Sequence, residues 1–233
     1  MSLTTGRGPL SQHPAGRFSV PLPGPVVYAE PFRRRVRGAQ AGRTVVDSER
    51  VLLVHRQGQP PTYGFPAEDV GGAPSEPEPA AAGYVRVAWS ALDEWYEEDE
   101  RVYGHPRNPY HRIDCLRTTR RLRVAVGEVT LVDTTDTVGL YESALDPRLY
   151  VRRDQVRMDV LRPSPTTTYC PYKGTATYWS AVLGDAVVAD IAWSYQNPLP
   201  ESLPIAGLLG FDGSRVTVVE DLPSAADPLS SGN

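Results

Sequence analysis

Short apolar runs broken by glycine and proline, with polar residues at alternate positions in many of them, give this chain the period of β-strands rather than helices. Leu122 to Val126 and Val129 to Val132 flank Gly127-Glu128, a two-residue turn with glycine first, which predicts a hairpin. Thr175 to Leu183 and Ala186 to Trp193 flank Gly184-Asp185 in the same way. Leu208 to Phe211 and Arg215 to Val219 flank Asp212-Gly213. Three hairpins in so short a stretch predict an antiparallel sheet that closes or folds over on itself. The single helix candidate is Ser90 to Arg101, with Ser90 as N-cap and Asp93 and Glu94 in its first turn. Its glutamates continue to the C-terminal end, against the helix dipole, so the predicted helix is short.

The pattern occurs twice. Val45-Val46-Asp47-Ser48 matches Leu131-Val132-Asp133-Thr134 at an offset of 86. The same offset sets Arg34, Arg35 and Arg37 on Arg120, Arg121 and Arg123, and Val70 on Val156. Ala88-Trp89-Ser90 resembles Ala192-Trp193-Ser194 at an offset of 104. The first copy is therefore shorter, and what it lacks is the region that holds Lys173 in the second. The resulting organisation is a disordered tail over 1–22, a first and incomplete β repeat over 23–104, and a connector over 105–115. A complete second repeat follows over 116–221, then a disordered tail over 222–233. The two prolines of the connector keep it extended. Gly71 to Gly83, rich in Pro, Ala and Glu, reads as an internal loop.

Composition agrees with strands: 20 Gly and 23 Pro among 233 residues oppose long helices, and 12 Tyr and 4 Trp favour sheets. No apolar run approaches the roughly 20 residues that span a bilayer, and Met1-Ser-Leu-Thr-Thr has neither a basic start nor an apolar core. The expectation is a cytoplasmic protein without membrane contact. A net charge of −4 and a pI near 5.6 oppose a dedicated nucleic-acid binder. The two cysteines, Cys115 and Cys170, form no CxxC pair, which opposes a disulfide framework and a thiolate zinc site. The sequences of a P-loop, a GxGxxG turn, an HExxH helix and a GxSxG elbow are all missing, so no cofactor is expected. Of the 24 basic residues, 23 are arginine, as GC-rich codon usage would give. Lys173 is the exception, and codon usage does not explain its place.

The candidate chemistry gathers around that lysine. Tyr169-Cys-Pro-Tyr-Lys-Gly-Thr-Ala-Thr-Tyr-Trp179 is the densest cluster, with Ala192-Trp-Ser-Tyr195 across the next hairpin. An aromatic wall beside one ammonium suits a small anionic or carbonyl-bearing ligand. On this reading Tyr172, Lys173, Tyr178, Trp193 and Tyr195 bind, with Glu142 or Arg123 fixing orientation. The competing reading makes the aromatics core and Lys173 an ion-paired surface residue. Cys170 could serve as a nucleophile beside Lys173, but no histidine is near it in sequence, and a packed thiol accounts for it as well. The arginines at 33–37 and 120–123 could grip phosphate, yet their alternation with Val36 and Leu122 suits a solvated strand face. Asp47 and Asp133 read as Asx-turn residues rather than a catalytic pair. His105 and His111 have no ligand pattern around them, so no metal site is expected.

Those residues carry a resemblance. The Cys170-Pro-Tyr-Lys-Gly174 core, Ile191-Ala-Trp-Ser-Tyr195 and Ile205-Ala-Gly207 resemble the signature of the bacterial domain-of-unknown-function family 427. Tyr63 to Val70 and the His-Pro-Arg-x-Pro-Tyr-His-Arg stretch from His105 to Arg112 resemble the tandem form of that family, so the likeness spans about residues 26 to 220. Departures are Arg152-Arg153, where the family tends to proline, and Cys115, where it tends to an aliphatic residue. The resemblance implies a mainly β chain of two tandem antiparallel β-tent (Mss4-like) domains packed as a pseudo-dimer within a monomer, the first copy shortened. The zinc-binding CxxC pairs of many β-tent relatives are missing here. A nucleotidyltransferase-like label attached to the family finds no Gly-Ser followed by a paired-carboxylate strand in this sequence, and no catalytic residues carry over.

Two functions stay open. One is a binding module for a small polar or anionic molecule in an aromatic pocket of the second repeat. The other is an enzyme using Lys173, or Cys170, with Glu142 as a further candidate, in acid-base, electrophilic or nucleophilic chemistry, including transfer to or from a small metabolite.

Overall fold

The computed structural model describes residues 4–22 and 24–223, and the chain divides into two compact units between His111 and Arg112. That division falls within the 105–115 stretch. Strands dominate both units, and among the described residues the only helical segments are short 3-10 turns.

The first unit contains β1 (Val27–Phe32), β2 (Val36–Gln40), β3 (Arg43–Ser48), β4 (Val51–Arg56), β5 (Thr62–Pro66), β6 (Ser75–Pro77), β7 (Tyr84–Val87), β8 (Glu94–Glu97) and β9 (Glu100–Val102). They form two antiparallel sheets, ordered β1-β4-β5-β7-β6 and β3-β2-β8-β9. Alternate residues of each turn inward, so that Val36, Val46, Leu53, Phe65 and Trp95 share one core.

The second unit contains β10 (Ile113–Thr118), β11 (Leu122–Val126), β12 (Val129–Thr134), β13 (Thr137–Glu142), β14 (Arg148–Val151), β15 (Leu161–Cys170), β16 (Gly174–Leu183), β17 (Ala186–Tyr195), β18 (Gly210–Phe211) and β19 (Thr217–Glu220). Its three antiparallel sheets run β10-β13-β14, β12-β11-β19 and β15-β16-β17-β18. None closes into a barrel. One core gathers Leu122, Leu131, Leu149, Ile191 and Leu209, and a smaller one gathers Ile113, Leu140, Tyr150, Tyr195 and Ile205. The smaller core underlies the site described below.

The spacing seen in the sequence reappears in the backbone. Adding 86 to the bounds of β1, β2, β3 and β4 gives those of β10, β11, β12 and β13, and it carries the 3-10 turn Ala67–Asp69 onto Arg153–Gln155. The β2–β3 ladder shifts register at Gly38/Ala39 and the β11–β12 ladder at Val124/Ala125, again 86 residues on. Both hairpins turn through a positive φ at their first turn residue, Ala41 at 50° and Gly127 at 56°. Glycine reaches that conformation freely, whereas alanine is strained there. Arg35 holds both carboxylate oxygens of Asp47, at 2.7 and 2.6 Å, and Arg121 holds Asp133 in the same way, at 2.7 and 2.8 Å. Asp47 and Asp133 are thus cross-strand ion-pair partners rather than turn residues. The turns are made by the next side chains, with Ser48 Oγ accepting from Arg50 N and Thr134 Oγ1 from Asp136 N.

Three further expectations are corrected. Ser90 to Arg101 is not a helix: a 3-10 turn over Trp89–Ala91 leads into β8 and β9, which meet at a turn where Glu98 has φ 51°. Trp95 and Glu97 point inward while Glu94 and Tyr96 do not, a period of two that the acidic composition hides. Glu97 can sit inside because Tyr63 donates its hydroxyl to it at 2.6 Å and Arg34 pairs with it at 2.5 Å. Asp212-Gly213 does not close a hairpin, for β18 pairs with β17 while β19 pairs with β11. Asp212 instead accepts from the Ser214 amide at 2.9 Å, a local turn that sends the chain to another sheet. Gly71 to Gly83 is not a bare loop, since it holds β6 and delivers the fully buried Glu78 side chain.

Residues 4–22 form no strand or helix, yet Thr4 and Ser11 are buried, and the Gly58 amide donates to Thr4 O at 2.7 Å. Of the stretch 222–233, only Leu222 and Pro223 lie within the described residues. Among the described residues no helix is long and apolar enough to cross a membrane.

Candidate functional site

Lys173 sits in the turn between β15 and β16. Its amide donates to Cys170 O at 3.3 Å and its carbonyl accepts from Leu199 N at 3.1 Å, which fixes the backbone at this point. Gly174 follows at φ 91°, a conformation that a side chain would strain. The lysine side chain is only 11% exposed, and its Nζ donates to Glu142 Oε2 at the end of β13. The remaining two N–H groups of the ammonium meet no partner among the described residues.

The pair borders a cavity of about 290 Å³. β14 supplies Arg148 and Tyr150 to it, and β17 supplies Trp193 and Tyr195. Trp193 donates its indole N–H to the Tyr150 hydroxyl at 2.9 Å, with the two rings edge-on. Gly210 of β18 stands opposite Trp193, and any side chain there would meet the indole at 2.9 Å. Burial pushes the Tyr150 and Tyr195 phenols well above their ordinary value. Both therefore keep their protons, and neither hydroxyl has an acceptor among the described residues. The Arg148 guanidinium lies over the Trp193 ring, 5.9 Å from its centroid, and has no ion pair among the described residues. The cavity thus presents the Arg148 guanidinium, two hydroxyl donors and an ammonium with spare N–H groups, with the Asp146 carboxylate also in its lining.

A model of the family described as a domain of unknown function (DUF427) matches residues 114–222, which hold every residue of this cavity. Residues 114–222 belong to the DUF427 family. No curated protein matches it. The first unit lies outside the matched stretch.

Within the DUF427 unit the candidates separate. Lys173, Glu142, Trp193 and Tyr195 converge on the cavity. Tyr172, Tyr178 and Cys170 do not line it; they pack against the smaller core beneath. Tyr178 shares a 2.9 Å hydrogen bond with Thr168 across the β15–β16 ladder. Arg123 stands on the solvent side of β11 opposite Asp133, away from the cavity. Cys115 is half-buried, and desolvation pushes its thiol up, which leaves it protonated and a poor nucleophile. Among the described residues no three His, Cys, Asp or Glu side chains gather to hold a metal ion.

Sequence reasoning missed Arg148 and Tyr150. Their signal was present, because residues two apart on a strand share a face, and both precede the Arg152-Arg153 pair in a short run after Pro147. The run resembles ordinary core, and nothing in it points to a cavity.

Proposed function

We propose that the DUF427 unit binds a small polar or anionic molecule in the Lys173–Glu142 cavity. The observation that carries this reading is the Arg148 guanidinium, held on Trp193 at the cavity without a carboxylate partner among the described residues. An anionic group would complete it with charge-assisted hydrogen bonds. Tyr150 and Tyr195 would donate to the ligand's oxygens, Lys173 would supply further N–H donors, and Trp193 would form a wall. The 86-residue correspondence supports a further reading, in which the two units are copies of one ancestral unit and only the second keeps this cavity.

Catalysis is the second reading, favoured by the direct contact of Lys173 with Glu142. The ammonium, held by the carboxylate, is placed to donate a hydrogen bond to a substrate carbonyl oxygen and polarise it, an electrophilic role. Incubation with a metabolite mixture separates the two: binding alone leaves the mixture unchanged, and turnover depletes one component.

Mass spectrometry of small molecules released from the native protein identifies the ligand. Thermal denaturation with that molecule then tests the site. Arg148→Ala, at an exposed residue, should leave the fold intact and abolish the ligand's stabilisation, and Lys173→Met should abolish it as well. An unchanged response in both variants rejects the cavity as the binding site.

A further inference from the structure

The first unit holds a cavity of its own, of about 310 Å³, built from different chemistry. Tyr63, Trp89 and Trp95 form its aromatic walls, closed by prolines at 60, 61 and 106. Trp89 and Trp95 stack at 5.2 Å with their planes 17° apart, and Trp95 stacks in turn on Phe65 at 6.1 Å and 12°. Trp95 is locked in place, since its Nε1 donates to Trp89 O at 3.0 Å. Trp89 is half-buried and so presents indole surface to the cavity. The proline rings are rigid and bring no N–H groups.

The lining excludes ions. No Lys, Arg, Asp or Glu contributes to it, and the His105 that does has its Nδ1 2.7 Å from Pro106 O, so a charged ligand would lose its hydration without gaining a carboxylate, ammonium or guanidinium partner. Tyr63 adds no unmet polar group, because its hydroxyl is donated to Glu97 at 2.6 Å, and Glu97 is neutralised by Arg34. Besides His105, polar groups enter the lining from Gln59 and Thr62. The Gln59 side-chain amide has no partner among the described residues, and Thr62 Oγ1, which accepts from Arg56 at 2.9 Å, still has a proton to donate. The indole surface of Trp89, held by its stack on Trp95, favours a flat partner, and the volume admits a fused bicyclic ring.

We propose that the first unit binds an uncharged planar heteroaromatic ring system of purine or quinoline size, its face on Trp89, which Trp95 backs, and its polar edge toward Gln59. The site is independent of the Lys173 cavity, and its chemistry is that of stacking rather than of ion pairing.

The test titrates the full chain, labelled with nitrogen-15 in its tryptophans, with adenine and with quinoline. A saturated bicyclic alcohol and choline serve as comparison probes. The planar probes should shift the indole N–H signals of Trp89 and Trp95 and leave those of Trp179 and Trp193 in place. Trp89→Leu should weaken their binding by about tenfold, the loss of one stacking platform. Gln59→Ala, at an exposed position that leaves folding intact, should weaken it by about threefold, the loss of one hydrogen bond. Equal affinity for the saturated alcohol, tighter binding of choline, shifts confined to Trp179 and Trp193, or no shift with any probe would each overturn the proposal.

Discussion

Strands β4 and β13 end at corresponding positions with opposite charges, Arg56 in the first unit and Glu142 in the DUF427 unit. Each meets its counter-charge from a turn farther along the chain, Glu78 in one case and Lys173 in the other. The first pair is sealed. Arg56 places one nitrogen against both oxygens of Glu78, at 2.5 and 2.6 Å, and another against Thr62 Oγ1, while Glu78 also accepts from Ala80 N at 2.9 Å. The Glu78 side chain is 0% exposed, and neither residue lines a cavity described above. The second pair is as deeply placed, but its ammonium retains N–H groups beside open volume. Burial of an ion pair therefore does not distinguish scaffold from site. Unused hydrogen-bonding capacity next to a cavity does.

The strongest way to break this comparison is to remove one partner of the sealed pair. Glu78→Ala should destabilise the first unit by about 3–5 kcal/mol in urea denaturation, because it strands a buried guanidinium. A loss below about 1 kcal/mol would show that water already reaches Arg56. Lys173→Met should cost less, about 1–3 kcal/mol, since the cavity lets water solvate Glu142 or lets it protonate. The double variant Glu142→Gln/Lys173→Met should return to within about 1 kcal/mol of the parent, as apolar or neutral replacements of whole buried pairs do.

A pH effect sharpens the contrast further down the scale. His55 is fully buried in the first unit, where burial lowers its pKa against the opposing pull of Glu30, 3.0 Å from Nε2. The folded state thus favours neutral imidazole, while the unfolded chain takes up a proton below about pH 6.5. Stability present above that value is lost as pH falls through it, by at most about 1.4 kcal/mol per pH unit. The corresponding residue of the DUF427 unit is Tyr141. His55→Phe should flatten the first unit's stability profile between pH 5 and 7, and an unchanged slope would assign the effect to other groups. The smallest effect is expected at the twin surface pairs. Arg35→Ala and Arg121→Ala should shift the unfolding midpoints of their units slightly and equally, and the shifts should vanish in high salt.

Much of the scaffold could be read in advance from residues whose environment is local. The Gly127-Glu128 and Gly184-Asp185 turns behave as their sequence requires, and the arginine and Val-x-Asp spacing anticipates four strand pairs to the residue. Lys173 and Glu142 were both recognisable as candidates, although the sequence left open which cation Glu142 would face. What stayed hidden depends on distant segments. Glu97 and Glu78 look like surface residues until Tyr63, Arg34 and Arg56 arrive from strands far off in sequence. Arg148 becomes conspicuous only once Trp193 lies beneath it, and Trp193 lies flat only because Gly210 has no side chain. The Ala-Trp-Ser motif shows the same limit, since it forms a 3-10 turn at Trp89 and part of β17 at Trp193.

One consequence follows from where the sole lysine lies. Amine-directed reagents, acyl donors and enzymes that tag ε-amino groups find no such target on the described surface, which carries its positive charge on guanidinium groups instead. The one side chain they can modify is at the mouth of the DUF427 cavity. A ligand bound as proposed would shield it further, so its acetylation should slow on binding.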